Sequence, residues 1–162
     1  MELIPCCMNR ILKETVFSYY DDWVKKEIQP NIQITEEELY ILGNIQGLRR
    51  VIQNVIKNGL DHGEKKIRIV LERDQNQAVL RITNQVMHPE QINTDHVFER
   101  FYKADTARSK TSTGLGLSIA KELVSRMNGE IGAEIEGREF IVEMRFLIVT
   151  SPRQRTKLPT IT

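Results

Sequence analysis

Residues 111–120 read Thr111-Ser112-Thr113-Gly114-Leu115-Gly116-Leu117-Ser118-Ile119-Ala120. Two glycines here stand directly before a run whose apolar residues recur at helical spacing as far as Met127. Glycine allows the backbone to approach a ligand closely, and the first turn of a helix presents N–H groups and the positive end of its dipole. The stretch therefore predicts a helix that begins at a phosphate-binding turn. Ordinary turn chemistry before a helix is the alternative interpretation.

A second informative stretch, residues 46–62, predicts a helix with one apolar face. The apolar residues of that face are Leu48, Val51, Ile52, Val55, Ile56 and Leu60. Asn54, Asn58 and Asp61 lie together along one flank of it. Asparagine is disfavoured inside helices because its side chain competes for backbone hydrogen bonds, so this pair indicates either a solvated flank or a binding function. An amide oxygen is a suitable ligand for Mg²⁺.

Shorter patterns predict the remaining elements. We expect a helix from Cys6 to Ile28, whereas residues 36–45 fit no element. The other predicted elements are a helix over 115–127 and strands over 31–35, 67–73, 78–83, 130–136 and 139–149. The strands 67–73 and 78–83 are separated by one short polar turn, so we expect them to form an antiparallel hairpin.

Residues 84–113 show little sustained periodicity and end at the glycine pair. In a compact domain such a segment is a lid, a binding loop or a disordered segment. Lys103, Arg108 and Lys110 lie within it and could reach a phosphate, although scattered surface charge is the ordinary explanation for any one of them.

The composition of the whole chain narrows the class of protein. Its 162 residues, 40% of them hydrophobic, suit one domain, which we expect over residues 1–149, followed by a mobile tail over 150–162. A net charge of +1 argues against binding to nucleic acid or to a membrane surface. The adjacent Cys6 and Cys7 suit neither a mutual disulfide nor a metal site. The sequence contains neither a membrane-spanning run nor an export signal, so we expect a cytoplasmic chain.

Three stretches, in this order, resemble the motifs of a known family. They are Asn54-x-x-x-Asn58, Phe98-Glu99-Arg100-Phe101-Tyr102 and Thr113-Gly114-Leu115-Gly116-Leu117-Ser118-Ile119-Ala120. With the hairpin that follows the first of them, they resemble the catalytic ATP-binding domain, of the HATPase (GHKL or Bergerat) type, of bacterial two-component sensor histidine kinases. The resemblance implies an α/β fold, a two-layer sandwich in which a mixed sheet of about five strands packs on about three helices.

The resemblance also implies roles for single residues. Asn58 corresponds to the Mg²⁺ ligand, and Asn54 takes the place where related ATP-hydrolysing proteins carry a glutamate base. Because asparagine is no general base at neutral pH, Asn54 favours holding ATP intact for transfer. His62 corresponds to a position that lines the nucleotide site, and Lys103 and Arg108 correspond to basic lid positions near the phosphates.

The remaining implied positions complete a site for ATP and Mg²⁺. Asn84 stands where many family members have an aspartate that accepts a hydrogen bond from the adenine amino group, and it keeps an acceptor oxygen. Asp61 stands where lysine or arginine is common, and Phe98 and Phe101 are expected to anchor the lid in the core. The motif that would bind the phosphates consists of Thr113, Gly114, Leu115, Gly116 and Leu117.

The implied function is transfer of the γ-phosphoryl group of Mg-ATP to a histidine. None of His62, His88 and His96 lies in a run that resembles the family's acceptor motif, so we expect the acceptor on a dimerisation domain outside this chain. We expect the chain to be a monomeric part of a membrane-anchored receptor that signals to a response regulator. The alternatives are a non-catalytic regulatory module with weakened nucleotide binding and a serine kinase of the anti-sigma type, which lacks the Phe-Glu-Arg-Phe element.

Overall fold

Seven strands and four α-helices make up the described part of the chain, which is residues 1–103 and 114–152 of the computed structural model. In chain order they are β1 (Ile4–Cys7), α1 (Met8–Phe17), α2 (Tyr20–Lys25), β2 (Asn31–Ile34), β3 (Tyr40–Gly43), α3 (Ile45–His62), β4 (Ile67–Asp74), β5 (Gln77–Gln85), α4 (Gly116–Arg126), β6 (Glu130–Glu136) and β7 (Glu139–Leu147). A single 3₁₀ turn, Pro89–Gln91, follows β5.

The larger of two sheets has five strands in the order β2-β4-β5-β7-β6. β2 is parallel to β4, and every other neighbouring pair in this sheet is antiparallel. β1 and β3 form a separate two-stranded antiparallel sheet. The predicted mixed sheet and the predicted β4–β5 hairpin are both confirmed.

The helices cover one face of the five-stranded sheet. Apolar side chains of α1, α3 and α4 form one buried cluster with the inward-facing residues of the strands. The inward strand residues include Ile69, Leu71, Leu80, Ile82, Val142 and Met144. The opposite face carries charges that pair across strands, such as Arg81 with Glu143 at 2.6 Å and Arg145 with Asp74 at 2.9 Å. This arrangement is the predicted two-layer sandwich.

Strand β6 forms one edge of the sheet, because the described part of the chain gives it a neighbour, β7, on one side only. Its glutamates Glu130, Glu134 and Glu136 are exposed, whereas the apolar residues between them are half-buried. The free edge of the sheet is therefore acidic.

Helix α3 occupies the centre of the core. Asn44 caps its start, since the Asn44 side-chain oxygen accepts a hydrogen bond from the Gly47 N–H at 2.9 Å. The predicted apolar stripe is buried at Leu48, Val51, Ile52, Val55 and Ile56. The helix packs between α1 and α4, and its burial confirms the prediction for residues 46–62.

The single helix predicted over Cys6–Ile28 is wrong in its extent. Cys6 and Cys7 belong to β1 and pair with β3, and the remainder is divided into α1 and α2. Within α2, Tyr20 and Val24 are 61% and 60% exposed, whereas Trp23 is buried. Helical periodicity is a local signal, so it registers neither a strand partner far along the chain nor a break between two short helices. Cys6 is buried and Cys7 is half-buried, and both are free thiols.

Strand β3 lies within residues 36–45, where the sequence predicted no element. The buried side chain of Asn9 holds the loop that leads into it. Its Nδ2 donates hydrogen bonds to the carbonyl oxygens of Thr35 and Glu37 at 2.9 and 2.8 Å, and its Oδ1 accepts one from the Leu39 N–H at 2.8 Å. One amide thus satisfies three backbone groups that strand pairing leaves open.

The last strand ends at Leu147, two residues before the predicted end of that strand, residue 149. Most of the predicted tail, residues 153–162, lies outside the described residues, so the division at residue 149 and the mobility of the tail stay predictions. Among the described residues, none of the helices is both long enough and apolar enough to cross a membrane.

We expect Asn9→Ala to lower the free energy of unfolding by about 2 kcal/mol, because three backbone groups lose a buried partner. Urea denaturation followed by circular dichroism measures the change. Asn76→Ala, at an exposed position in the β4–β5 turn, is the matched control and should cost less than about 0.5 kcal/mol. Equal effects of the two substitutions would contradict the role assigned to Asn9.

Candidate functional site

A cavity of about 350 Å³ opens between α3, the start of α4 and the segment that follows β5. The predicted site residues on its wall are Asn54, Asn58, His62, Asn84, Lys103, Gly114, Leu115, Gly116 and Leu117. Two other predicted site residues, Arg108 and Thr113, lie outside the described residues, as does Lys110. The structure therefore brings every described member of the predicted set to one cavity.

The α3 wall presents two amides, Asn54 and Asn58, one helical turn apart. Both are half-buried, because they lie on the flank between the apolar face of α3 and its solvent side. Within the described part of the chain, the Nδ2 atom of Asn54 is buried and has no hydrogen-bond partner. A buried donor without an acceptor costs about 1–3 kcal/mol, so this wall is suited to a ligand that supplies one.

The α4 wall begins with a sharp turn at Gly114, whose φ is +73°. A Cβ atom at this position would lie 2.8 Å from the Cα of Phe101, so only glycine fits. The Phe101 N–H donates a hydrogen bond to the Gly114 carbonyl oxygen at 2.8 Å and joins the turn to the end of the preceding segment. Helix α4 then starts at Gly116, where its first N–H groups have no acceptor within the helix.

Charged groups surround the open side of the cavity. Lys57, Asp61, His62 and Lys103 all contribute to its lining. His62 is exposed as a residue, yet its ring loses water on the cavity side, and this burial lowers the pKa of His62. The charge of Asp61 opposes the shift and that of Lys103 adds to it. Asp61 thus brings a negative charge to the cavity, and Lys57 and Lys103 bring positive charges.

The floor of the cavity is apolar and buried. It consists of Val86, Val97, Leu117 and Phe140, each at most 7% exposed. Asn84 lies within this floor and is 5% exposed, beside its cross-strand partner Phe140. Asn84, which was predicted to bind the nucleotide, is thus one of the lining residues and is almost fully buried.

Several lining residues were not predicted. Val97 directly precedes the Phe-Glu-Arg-Phe stretch, and Tyr102 directly follows it. Because this stretch comes shortly before the glycine pair, the sequence could have indicated that its neighbours line the same cavity. Phe140 is a core residue of β7, and no local pattern relates it to a cavity. The expectation that Phe98 and Phe101 both anchor the core is half right: Phe98 packs against the core, but Phe101 is 68% exposed at a φ of +64°.

Comparison with known proteins identifies the family. The sequence profile of the histidine kinase-, DNA gyrase B- and HSP90-like ATPases matches residues 43–149. The chain belongs to this ATPase family. Among curated members, the sensor histidine kinase YcbM of Bacillus subtilis is 30% identical over 131 residues, and the probable sensor protein PcoS of Escherichia coli is 33% identical over 117 residues.

These matches cover 78% and 70% of this ATPase-family chain, but the chain spans only 42% and 25% of the two relatives. The relatives are named as sensor proteins and kinases, in agreement with the resemblance deduced from the motifs. Neither the serine-kinase alternative nor the non-catalytic alternative gains support from these names.

Solved structures show the same fold. The mycobacterial sensor histidine kinase MprB has a TM-score of 0.75 at 21% identity, with 92% of this chain and 99% of that chain covered. The catalytic domain of histidine kinase ThkA has a TM-score of 0.77 at 20% identity, with 91% and 96% covered. The sandwich described above is thus the fold of histidine kinase catalytic domains.

We expect Gly114→Ala to loosen the turn before α4, because the new Cβ would meet the Phe101 backbone and the residue would hold a left-handed conformation. Hydrogen exchange of the Phe101 amide should become faster, and the free energy of unfolding should fall by about 1–3 kcal/mol. Gly132→Ala is the control, since a Cβ there has no neighbour within 4 Å. Unchanged exchange at Phe101 in Gly114→Ala would contradict this description of the turn.

His62 and His96 should titrate on opposite sides of the ordinary histidine pKa of 6.5. Burial lowers the pKa of His62, whereas the hydrogen bond and charge of Glu99 raise the pKa of His96. As the pH falls through 6.5, the unfolded chain therefore binds a proton at His62 before the folded chain does. The contribution of His62 to the free energy of unfolding is thus present above pH 6.5 and is lost as the pH falls below it. NMR titration of the ring protons measures both midpoints, and Lys103→Met should raise that of His62. A His62 midpoint at or above that of His96 would be contrary to expectation.

Proposed function

We propose that this chain binds Mg-ATP in the cavity and donates the γ-phosphoryl group to a histidine on a phosphoacceptor domain outside the chain. The observation that carries the proposal is the meeting of two asparagine amides, a glycine-opened helix start and a lysine around one cavity with an apolar floor. A purine ring suits the floor, and a triphosphate suits the polar wall. The proposal rests also on membership of an ATPase family.

The phosphates would lie against the start of α4. Its N–H groups at Gly116 and Leu117 lack acceptors within the helix, and Lys103 supplies a positive charge on the same cavity. Arg108 and Thr113, which lie outside the described residues, are proposed to bind the phosphates as well. Backbone donors and a flexible cation neutralise the charge of the phosphoryl group, which is the main catalytic requirement of its transfer.

Mg²⁺ fits the amide wall. Asn58 would hold the ion through its side-chain oxygen, a hard neutral ligand, and the nucleotide phosphates and water would complete its shell. When bound, the ion neutralises the charge of the phosphate oxygens. The buried, unpartnered Nδ2 atom of Asn54 is one turn away and can donate to a phosphate or to water.

Asn54 also favours transfer over hydrolysis. Its amide cannot remove a proton from water at neutral pH, so it does not activate water as a carboxylate would. The attacking group would be an imidazole nitrogen of the acceptor histidine. A phosphorus–nitrogen bond forms as the bond to the β–γ bridging oxygen breaks, and ADP leaves with that electron pair.

The biological setting follows by analogy with the relatives. ShkA, a structural neighbour with a TM-score of 0.77, was solved with AMPPNP, and ThkA was solved with the response regulator TrrA. We infer that this chain is the cytoplasmic, monomeric catalytic domain of a longer sensor kinase, whose dimerisation domain carries the acceptor. The phosphoryl group then passes to a response regulator.

Calorimetric titration with AMPPNP, with and without Mg²⁺, tests nucleotide binding. The parent chain should bind more tightly with Mg²⁺, and Asn58→Ala should lose that enhancement, weakening Mg-dependent binding by about tenfold or more. Arg50→Ala, on the exposed side of α3, should bind like the parent. Full retention of the Mg²⁺ enhancement in Asn58→Ala would refute the role of that residue.

Phosphoryl transfer is tested in the longer protein that contains this chain. Incubation with γ-labelled ATP should give an acid-labile phosphohistidine, and Asn58→Ala should abolish it. Label on a serine of a partner protein would support the anti-sigma-type alternative, and binding without any label would support the regulatory one.

A further inference from the structure

Asp61 brings a carboxylate without a direct partner to the wall of the cavity. It follows Asn58 by three residues on α3, and both side chains are half-buried and line the cavity. In the described part of the chain, no residue forms a hydrogen bond or an ion pair with the Asp61 carboxylate. Partial burial of an unpaired charge is unfavourable, so this position is suited to a ligand that carries positive charge.

The charge of Asp61 acts on its surroundings without being neutralised by contact. Burial raises the pKa of Tyr19, and Asp61 adds to that rise. Burial lowers the pKa of His62, and Asp61 opposes that change. Lys57 and Lys103 line the same cavity, but their charges do not reach Asp61 as ion pairs. The carboxylate therefore presents its negative charge to whatever occupies the cavity.

Asn58 and Asp61 are spaced so that they can hold one cation together. Residues three apart on a helix lie on the same side of it, with their Cβ atoms about 5–6 Å apart. An amide oxygen and a carboxylate oxygen on such a pair can therefore meet at one ion, whose bonds to oxygen measure about 2.0–2.6 Å. An amide supplies no charge to the ion, and protein sites for Mg²⁺ typically include one or two carboxylates.

We propose that Asn58 and Asp61 form a divalent-cation site that binds its ion without a nucleotide. Asp61 stands where the family resemblance implied lysine or arginine, so this ligand belongs to this chain and not to the family pattern. Without an ion, Asp61 repels a triphosphate in the cavity, whereas with an ion the carboxylate and the phosphates share one cation. Nucleotide binding thus becomes conditional on the divalent cation. That consequence rests on the proposed function, but the cation site itself needs no nucleotide.

Titration with Mn²⁺ in the absence of nucleotide tests the site. Mn²⁺ takes the same oxygen ligands as Mg²⁺, and electron paramagnetic resonance distinguishes the free ion from the bound one. The parent chain should bind one Mn²⁺ with a dissociation constant below about 1 mM, and Asp61→Asn should weaken this binding at least about tenfold. Asp21→Asn, which removes an exposed carboxylate from α2, is the matched control and should bind Mn²⁺ like the parent.

The outcomes for the cation site and for the nucleotide are distinguishable. A parent chain that does not bind Mn²⁺ below about 1 mM would overturn the inference, even if Mg-AMPPNP binds and the proposed function stands. A folded Asp61→Asn variant that binds Mn²⁺ like the parent would overturn it too. Binding of Mn²⁺ at this site without any binding of AMPPNP would support the inference and overturn the proposed function. If a variant fails to fold, the measurement on the parent chain decides.

Calorimetry with AMPPNP tests whether Asp61 makes nucleotide binding conditional on the ion. Without a divalent cation, Asp61→Asn should bind AMPPNP more tightly than the parent, and Asp61→Lys should gain about tenfold or more, because the repulsion is removed. The enhancement of binding by Mg²⁺ should be smaller in both variants. Equal enhancement in the parent and in Asp61→Asn would refute this role of Asp61.

Discussion

The packing of α3 against the sheet is the constraint on which the site depends. Ile52 and Ile56 are almost fully buried, and burial of each such side chain stabilises the fold by about 2 kcal/mol. A helix fixed by one face has no rotational freedom left, so the residues on its flank must face the same cavity. The apolar contacts of other α3 residues therefore hold Asn54 and Asn58 in position, and the two amides need no other support.

Neutral amides and backbone groups predominate on the polar walls. A carboxylate at Asn54 would add negative charge where a triphosphate already concentrates it, and Lys57 and Lys103 line the same cavity as Asp61. Amides donate and accept without changing charge, and backbone donors at the start of α4 keep their positions while the charge of a ligand changes. These amides and backbone donors do not titrate near neutral pH, so their contribution to the site does not change with pH there.

The elements found from sequence are those whose signal is local. In α3, in α4 and in the β4–β5 hairpin, the apolar residues repeat at a regular spacing that is visible within a short stretch of sequence. The asparagine pair lies on α3, and the glycine pair lies at the start of α4. β1 and β3 are four-residue strands that form by pairing with each other and with the help of Asn9. The residues around either strand alone therefore do not predict it. Two residues of the cavity floor, Phe140 and Val97, were missed because they come together only in the folded structure.

The acidic edge strand has a consequence for how molecules of this protein meet. Among the described strands, none pairs with the outer backbone N–H and C=O groups of β6, which are a template for adding another strand. A second copy approaching this edge would bring Glu130, Glu134 and Glu136 against the same three carboxylates. Like charges at cross-strand positions repel, so the edge resists self-association while its inward apolar residues still serve the core. Solubility at high local concentration is in this way encoded in a strand remote from the nucleotide cavity.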